Sequence, residues 1–411
     1  GVELYSEVKT GEAFGINFSD LSLSYHDLLQ KKDEVVKRLR DGVQYLLKAN
    51  GVEIAKANGV ITAKGQVTLH NNESTNKIST ESVIIATGSR PNIPLIPGID
   101  SDDVLTSDKL LSWKKVPKNL LIIGGGPECS EFTSILNPLG CKITIIEMLD
   151  RLLPSEDRDL GVKLASLFEK QNVKIFTSSK VKMIKKIDNI LQVHIQSPDG
   201  EVVVQPDNVL IASGRRPNVE ELGLEALNIE MTNLGISVDE HMETNVKGIF
   251  AVGDVVGGGL AHVAFEGGVI AAENTVGLKS KLDLNAVPRC IYSIPEIATV
   301  GISEAEAEKK QYKISVGRFS FQASGRSYTL GDTNGFVKII CESESGKILG
   351  AQIMAKYASE LISEVTLAIK MGITVEDLVQ TIHPHPSLSE ALKEAALDIL
   401  NKNLHNIPKK N

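Results

Sequence analysis

Gly124-Gly125-Gly126-Pro127-Glu128-Cys129 stands between the apolar run NLLII and a stretch patterned as a helix. Glycines at a strand-to-helix turn can cradle a phosphate. Gly124 would allow the tight turn. Gly126 would let a pyrophosphate approach the helix N-terminus, where free N–H groups and the dipole favour an anion. Glu147 closes the next apolar run, about 20 residues further on. An acid there accepts hydrogen bonds from ribose hydroxyls and repels a 2′-phosphate, so the pattern points to NAD rather than NADP. A lone glycine turn is weak evidence, but the strand before, the helix after and the acid make it strong. Two residues depart from the pattern. Cys129 holds the third glycine position, where a small side chain is tolerated at the helix–sheet contact. Glu128 puts negative charge in the first helical turn, which suits the dipole but opposes a pyrophosphate. The competing expectation is a turn of nucleotide-binding shape that binds NAD poorly.

The other groups suited to redox or metal chemistry are four cysteines, Cys129, Cys141, Cys290 and Cys341. They are far apart and form no CxxC or metal-spaced cluster, so free thiols in a reducing compartment are expected, and no metal site. The 411 residues are 42% hydrophobic and 23% charged, with a net charge of −8. Such a chain has material for several cores and lacks the basic footprint of a nucleic-acid binder. No stretch approaches the length of a membrane span, and residues 1–14 have no charged-then-apolar signal pattern.

The elements that would position these groups follow from periodicity. Residues 28–50 predict an amphipathic helix, with Val35, Val36, Leu39, Val43 and Leu46 on one face. Short strands follow in VEIAKANGVIT, QVTLHNN and KISTESVIIATG, with Asn and Gly turns. Residues 101–118 turn polar, and KKVPKN (114–119) reads as a linker. NLLIIGGG, PECSEFTSILNPLG and CKITIIEM then make one strand–helix–strand unit of roughly 30 residues, with Pro127 at the first helical position. KIFTSS, LQVHIQS, NVLIASG and GIFAVGD are further strands. From about Val287 the pattern becomes an antiparallel sheet followed by two helices, one lined by Leu361, Ile362, Val365, Ala368 and Ile369, the other by Leu388, Leu392, Ala396 and Ile399.

Six segments occur in a fixed order: ATGSRPNIP (86–94), the GGG turn, ASGRRPN (212–218), FAVGDV (250–255), LAHVAFEGG (260–268) and HPHPSLSE (383–390). As an ordered set they resemble the pyridine nucleotide-disulfide oxidoreductases. HPHPSLSE and Glu147 are most similar to the dihydrolipoamide dehydrogenase branch. The resemblance implies an α/β fold: two Rossmann-like nucleotide-binding domains, for FAD and NAD, plus a C-terminal α+β dimerisation domain. The implied boundaries are 1–117 for an N-terminally truncated FAD domain, 118–245 for the NAD domain, 246–286 for the return segment of the FAD domain, and 287–411 for the interface domain.

The resemblance also implies roles. Thr87, Gly88 and Ser89 would approach FAD, Gly59 its adenosine, and Asp254 its ribityl hydroxyls. Leu260, Ala261 and His262 would lie beneath the isoalloxazine, although the loop before them is one residue shorter than the usual form. Gly124, Gly125, Gly126, Glu131, Glu147 and Gly214 would serve NAD, with Glu131 beside the nicotinamide. His385 and Glu390 would be the acid–base pair: a histidine titrates near neutrality, and a carboxylate on its far nitrogen fixes the tautomer. In the family this pair serves the partner subunit, which implies a homodimer. Glu390 also closes Ser387-Leu-Ser-Glu390, a capping box that would start the last helix. His383 competes as the base, and the resemblance assigns that role to His385.

The implied reaction is oxidation of dihydrolipoyl groups through a disulfide and FAD to NAD. The lipoyl carriers would belong to a 2-oxoacid dehydrogenase complex or the glycine cleavage system, in the cytoplasm or the mitochondrial matrix. Relatives open with a strand, a GxGxxG turn for FAD and a CxxxxC pair, and the 411 residues contain none of these. The expectation is therefore a fragment of a working enzyme, inactive alone and weak in FAD binding. The rivals are a natural variant acting as a non-catalytic scaffold, and another disulfide reductase, for glutathione, trypanothione or mercuric ion.

Overall fold

The computed structural model describes residues 1–17, 19–71 and 74–405. The turn residue Asn72 and the last six residues, 406–411, fall outside them. The chain divides into two compact units: residues 1–25, 93–213 and 285–411 form one, and 26–92 with 214–284 form the other.

The first unit is built on a five-stranded parallel sheet in the order Val104–Thr106, Asn208–Ile211, Asn119–Ile123, Lys142–Ile146, Lys174–Phe176. Its central strands are continuous apolar runs because both faces are covered. Leu120, Ile122, Ile143 and Ile145 pack on one side with Phe132, Leu136, Leu164 and Phe168. Leu121, Ile123, Ile146, Val209 and Ile211 pack on the other with the antiparallel strands Lys180–Ile187 and Ile190–Ser197. Ahead of the irregular segment 114–118, the polar stretch supplies the edge strand Val104–Thr106 and the helix Ser107–Leu111, capped by Thr106, neither of which periodicity predicts. Three residues are too few for a periodicity to show.

The same unit holds a five-stranded antiparallel sheet in the order Arg289–Ile291, Glu296–Gly301, Ile348–Ala355, Phe336–Glu342, Ile314–Ser320. The turn before Phe336 is closed by the Asn334 amide donating to the Asp332 side chain at 2.9 Å. Helices Ala358–Met371, Val375–Gln380 and Glu390–Ile399 share a core with this sheet. Gly317 sets how close the last helix comes: a Cβ there would lie 1.9 Å from the Ala395 carbonyl oxygen. A fully buried cation sits in this sheet. Lys338 Nζ meets Asp157, Asp159 and Glu304 at 2.8, 2.9 and 2.7 Å. The three acids come from the starts of two helices, Arg158–Lys170 and Glu304–Lys309.

The second unit contains the helix Tyr25–Ala49, which matches the expected amphipathic segment in extent. Its burial does not match: no residue of this helix is buried, and Val36, Leu39 and Leu46 are more than half exposed. An antiparallel sheet of Asn58–Ala63, Gln66–His70 and Thr75–Ser79 follows. Val83–Ile85 pairs in parallel with Ile249–Ala251, Ser89–Pro91 pairs antiparallel with Arg215–Pro217, and Ala261–Thr275 is a helix. Periodicity does not anticipate Ala261–Thr275, nor, in the first unit, the helices Val2–Thr10, Arg158–Lys170, Glu304–Lys309 and Val375–Gln380.

Lys338→Met is expected to lower the unfolding free energy by about 3 kcal/mol, because it leaves the buried Asp157 carboxylate without its cation, whereas Arg318 still reaches Asp159 and Glu304. Urea titration checks this. A loss below about 1 kcal/mol would show that the acids are held by solvent instead.

Candidate functional site

Three adjacent glycines have three different reasons to be glycine. Gly124 has φ +105°, and a Cβ would lie 2.3 Å from the Ala212 carbonyl oxygen, so the protein itself forbids a side chain. At Gly125 a Cβ would lie 2.8 Å from Leu152 and 3.0 Å from the Glu147 side chain, to which its amide donates at 2.6 Å, and its carbonyl accepts from Leu153 N at 2.9 Å. Gly126 caps the helix Pro127–Leu136, and a Cβ there would have no atom within 4 Å. The space in front of the helix N-terminus is open, as a pyrophosphate requires. Glu147 is buried, and its second oxygen accepts from Leu149 N at 2.7 Å. The backbone thus holds this carboxylate at the sheet end beside the turn.

The departures at this turn have structural explanations. Cys129 is fully buried, and burial pushes its thiol up to about 12, so it acts as a small packing residue. Glu128 is approached by the Ser107 hydroxyl at 3.4 Å. Glu131 accepts from Tyr292 N at 3.0 Å. Burial raises its pKa and the Tyr292 amide opposes that rise. Ser134 Oγ accepts from Ile294 N at 3.0 Å, so the helix after the turn is stitched to residues 292–294.

The HPHPSLSE segment lies in the same unit. His385 Nδ1 is 2.8 Å from Glu390 Oε1, and the His385 side chain is 80% exposed. Glu390 Oε2 accepts from Ser387 N at 2.8 Å. Half of the expected capping box is therefore present. The Ser387 hydroxyl meets Ser389 Oγ instead, and Ser389 is the N-cap. Burial works against the Glu390 charge, but the Ser387 amide and the His385 ring hold its carboxyl below the usual range. His383 is engaged elsewhere, with Nε2 2.9 Å from Glu364 Oε1.

The expected flavin-side residues gather in the second unit. Thr87 Oγ1 donates to the Asn218 carbonyl at 2.7 Å, and Asn218 N donates to Gly88 O at 2.9 Å. Ser89 Oγ donates to Asp254 Oδ2 at 2.5 Å and accepts from Arg215 Nε at 2.8 Å. Asp254 sits in the turn Gly253–Val256. Leu260 caps the helix Ala261–Thr275, whose first residues, Ala261 and His262, are exposed. Gly214 has φ +88°, and its carbonyl accepts from Asn92 N at 2.9 Å. At Gly59 a Cβ would meet only ordinary contacts at 3.7 Å, so backbone sterics do not require glycine there. Arg215 and Asn218 were not singled out as site residues, although both stand in the quoted ASGRRPN segment. Glu364 gave no signal, being 19 residues from His383, on the helix Ala358–Met371.

A nucleotide turn backed by a carboxylate, a Thr-Gly/Asp cluster and a histidine–glutamate pair define a nucleotide-dependent oxidoreductase. The chain belongs to the pyridine nucleotide-disulphide oxidoreductase family: that family's model matches residues 4–268, and the model of its dimerisation domain matches residues 287–396. It is similar to the dihydrolipoyl dehydrogenase of Bacillus subtilis, 38% identical over 98% of this chain and 88% of the relative. It is 40% identical to that of Thermus scotoductus, over 98% of this chain and 87% of the relative. Among solved structures it is similar to the HOCl-induced flavoprotein disulfide reductase RclA from Escherichia coli, with a TM-score of 0.84 and 27% identity over 96% of this chain and 89% of that one. The chain is thus an NAD-dependent flavoprotein oxidoreductase whose family uses FAD and NAD, and its dimerisation domain supports a homodimer. The open Gly126 position and the backbone-held Glu147 fit NAD. The Ser89–Asp254 carboxylate fits a hydroxyl-rich chain such as that of FAD. Among the described residues no helix is long and apolar enough to cross a membrane.

Substitution separates the two kinds of glycine. Gly126→Val is expected to cost about 1 kcal/mol of stability through the poorer helix cap while weakening NADH binding about tenfold or more, or about 1.4 kcal/mol. Gly124→Val is expected to destabilise the fold itself. Calorimetric titration with NADH beside thermal melts checks both.

Proposed function

We propose that this protein is a dihydrolipoyl dehydrogenase, oxidising protein-bound dihydrolipoamide and reducing NAD+. Support comes from the His385–Glu390 pair, at 2.8 Å in a chain 38% identical to a dihydrolipoyl dehydrogenase. Oxidising a dithiol begins with removal of a thiol proton. With Nδ1 turned to Glu390, the Nε2 atom of His385 is the proton acceptor, and the carboxylate stabilises the imidazolium that forms. The pair acts on substrate at the partner subunit's site in a homodimer. FAD, when bound, supplies the two-electron relay between the disulfide and NAD+. Thr87, Gly88, Ser89, Asp254, Leu260, Ala261 and His262 line its place, with Gly59 toward the adenosine. Gly124, Gly125, Gly126, Glu131, Glu147 and Gly214 serve NAD.

In this reading residues 1–117 and 246–286 form the flavin part, 118–245 the NAD part and 287–411 the interface domain. The electron donors are lipoyl-carrying subunits of a 2-oxoacid dehydrogenase complex or of the glycine cleavage system, in the cytoplasm or mitochondrial matrix. Exchange with the dithiol needs a thiol pair that the four cysteines do not provide. All are free. Cys129, Cys141 and Cys341 are buried, and burial raises the pKa of all four thiols, those of Cys129 and Cys141 to about 12. Residues 1–411 alone are therefore inactive in this reading.

The test is NAD+ reduction by dihydrolipoamide, run on the protein from its natural source and on residues 1–411 alone. Turnover is expected in the first and not in the second, with His385→Gln lowering the first by about 10²–10⁴-fold. Turnover of glutathione disulfide in place of dihydrolipoamide would move the assignment to another reductase. Activity of residues 1–411 alone would contradict the cysteine argument.

A further inference from the structure

The segment that carries His385 is held by very little. From Thr381 to Pro386 every residue is exposed except His383, and Ile382 is 92% exposed. The His383 side chain is 4% exposed. It is the least exposed side chain between Thr381 and Pro386 and, while His385 itself reaches Glu390 on the last helix, it ties this stretch to the helix Ala358–Met371.

What surrounds the ring decides its protonation. Nε2 is 2.9 Å from Glu364 Oε1, on the helix Ala358–Met371, and Nδ1 is 3.2 Å from the Thr381 carbonyl oxygen, at the end of the helix Val375–Gln380. A carbonyl and a carboxylate only accept hydrogen bonds. A neutral imidazole has one N–H and would aim a lone pair at one of these oxygens. The third element here is the last helix, whose Lys393 ammonium donates to the same Thr381 carbonyl at 3.1 Å. That cation opposes the ring charge without removing either acceptor.

We propose that His383 is a protonated clamp, an imidazolium donating from both nitrogens to Glu364 and Thr381, and that it is the positioning residue for His385. The proposal rests on the reading of His385 as the acid–base group. It removes His383 as a competing base, because a ring with both nitrogens protonated and donating has no lone pair for a substrate proton. The Glu364 carboxylate beside the ring holds its pKa above the ordinary histidine value, against burial and Lys393. The folded value is raised, so this pair's contribution to stability is complete below the unfolded value of about 6.5 and fades as pH rises through the folded value.

The test is nitrogen NMR of histidine-labelled residues 1–411 across neutral pH, assigned with His383→Leu and His385→Gln. His383 is expected to keep two ring protons at pH 7, and Glu364→Gln to shift its titration to lower pH without unfolding the chain. In His383→Leu the His385 Nδ1–H signal facing Glu390 is expected to be lost or averaged. If that variant fails to unfold cooperatively, Glu364→Gln alone decides the protonation. A His383 with a single ring proton at pH 7, or a His385 signal unmoved in folded His383→Leu, would overturn the proposal. Neither readout uses turnover. If His385→Gln leaves dihydrolipoamide oxidation intact, the catalytic reading fails instead, and His383 is left as a clamp with no catalytic group to position.

Discussion

One carboxylate ties the C-terminal architecture to its proposed chemistry. Glu390 gives one oxygen to the His385 ring and the other to the Ser387 amide, and it is also the first residue of the last helix. Its place depends on how that helix lies on the antiparallel sheet. The contact is close because Gly317 puts bare backbone beneath Ala395. A half-formed capping box and the carboxylate proposed to orient the base are the same side chain here. The local rule for starting a helix and the requirement for a single histidine tautomer are met by one arrangement.

The nucleotide turn shows the opposite division of labour. Gly124 is dictated by neighbouring backbone, whereas a Cβ on Gly126 would meet no atom within 4 Å, which leaves room for a ligand at the helix N-terminus. Glu147 is locked by two backbone N–H groups, each taking one oxygen. A carboxylate held this way cannot swing aside for a 2′-phosphate, which is the physical content of an NAD preference. Cys129 is accommodated at the third glycine position, where its side chain is fully buried in the core.

Much of this was legible in the residues. Strands buried on both faces are unbroken apolar runs, so NLLII and KITII declared themselves, and the histidine–glutamate pair stands five residues apart in one motif. The illegible parts have physical causes. The edge strand Val104–Thr106 is shorter than any period. Lys338 reads as a surface lysine between Val337 and Ile339, and only the folded chain brings its three acids from elsewhere. Glu364 and Arg215 act through partners distant in sequence, His383 and Ser89. For the helix Tyr25–Ala49 the periodicity gave the helix correctly, yet its apolar stripe is exposed. Periodicity reports which face prefers burial, not what covers it.

The account rests on Glu390 acting on the His385 ring rather than merely starting a helix. The direct measurement is kcat/KM for dihydrolipoamide in Glu390→Gln, with circular dichroism and thermal stability on the same sample. The account expects a loss of about 10²-fold or more with the last helix intact and stability changed by about 1 kcal/mol. An unchanged kcat/KM in a variant with that same small stability change would mean that the carboxylate serves the helix alone.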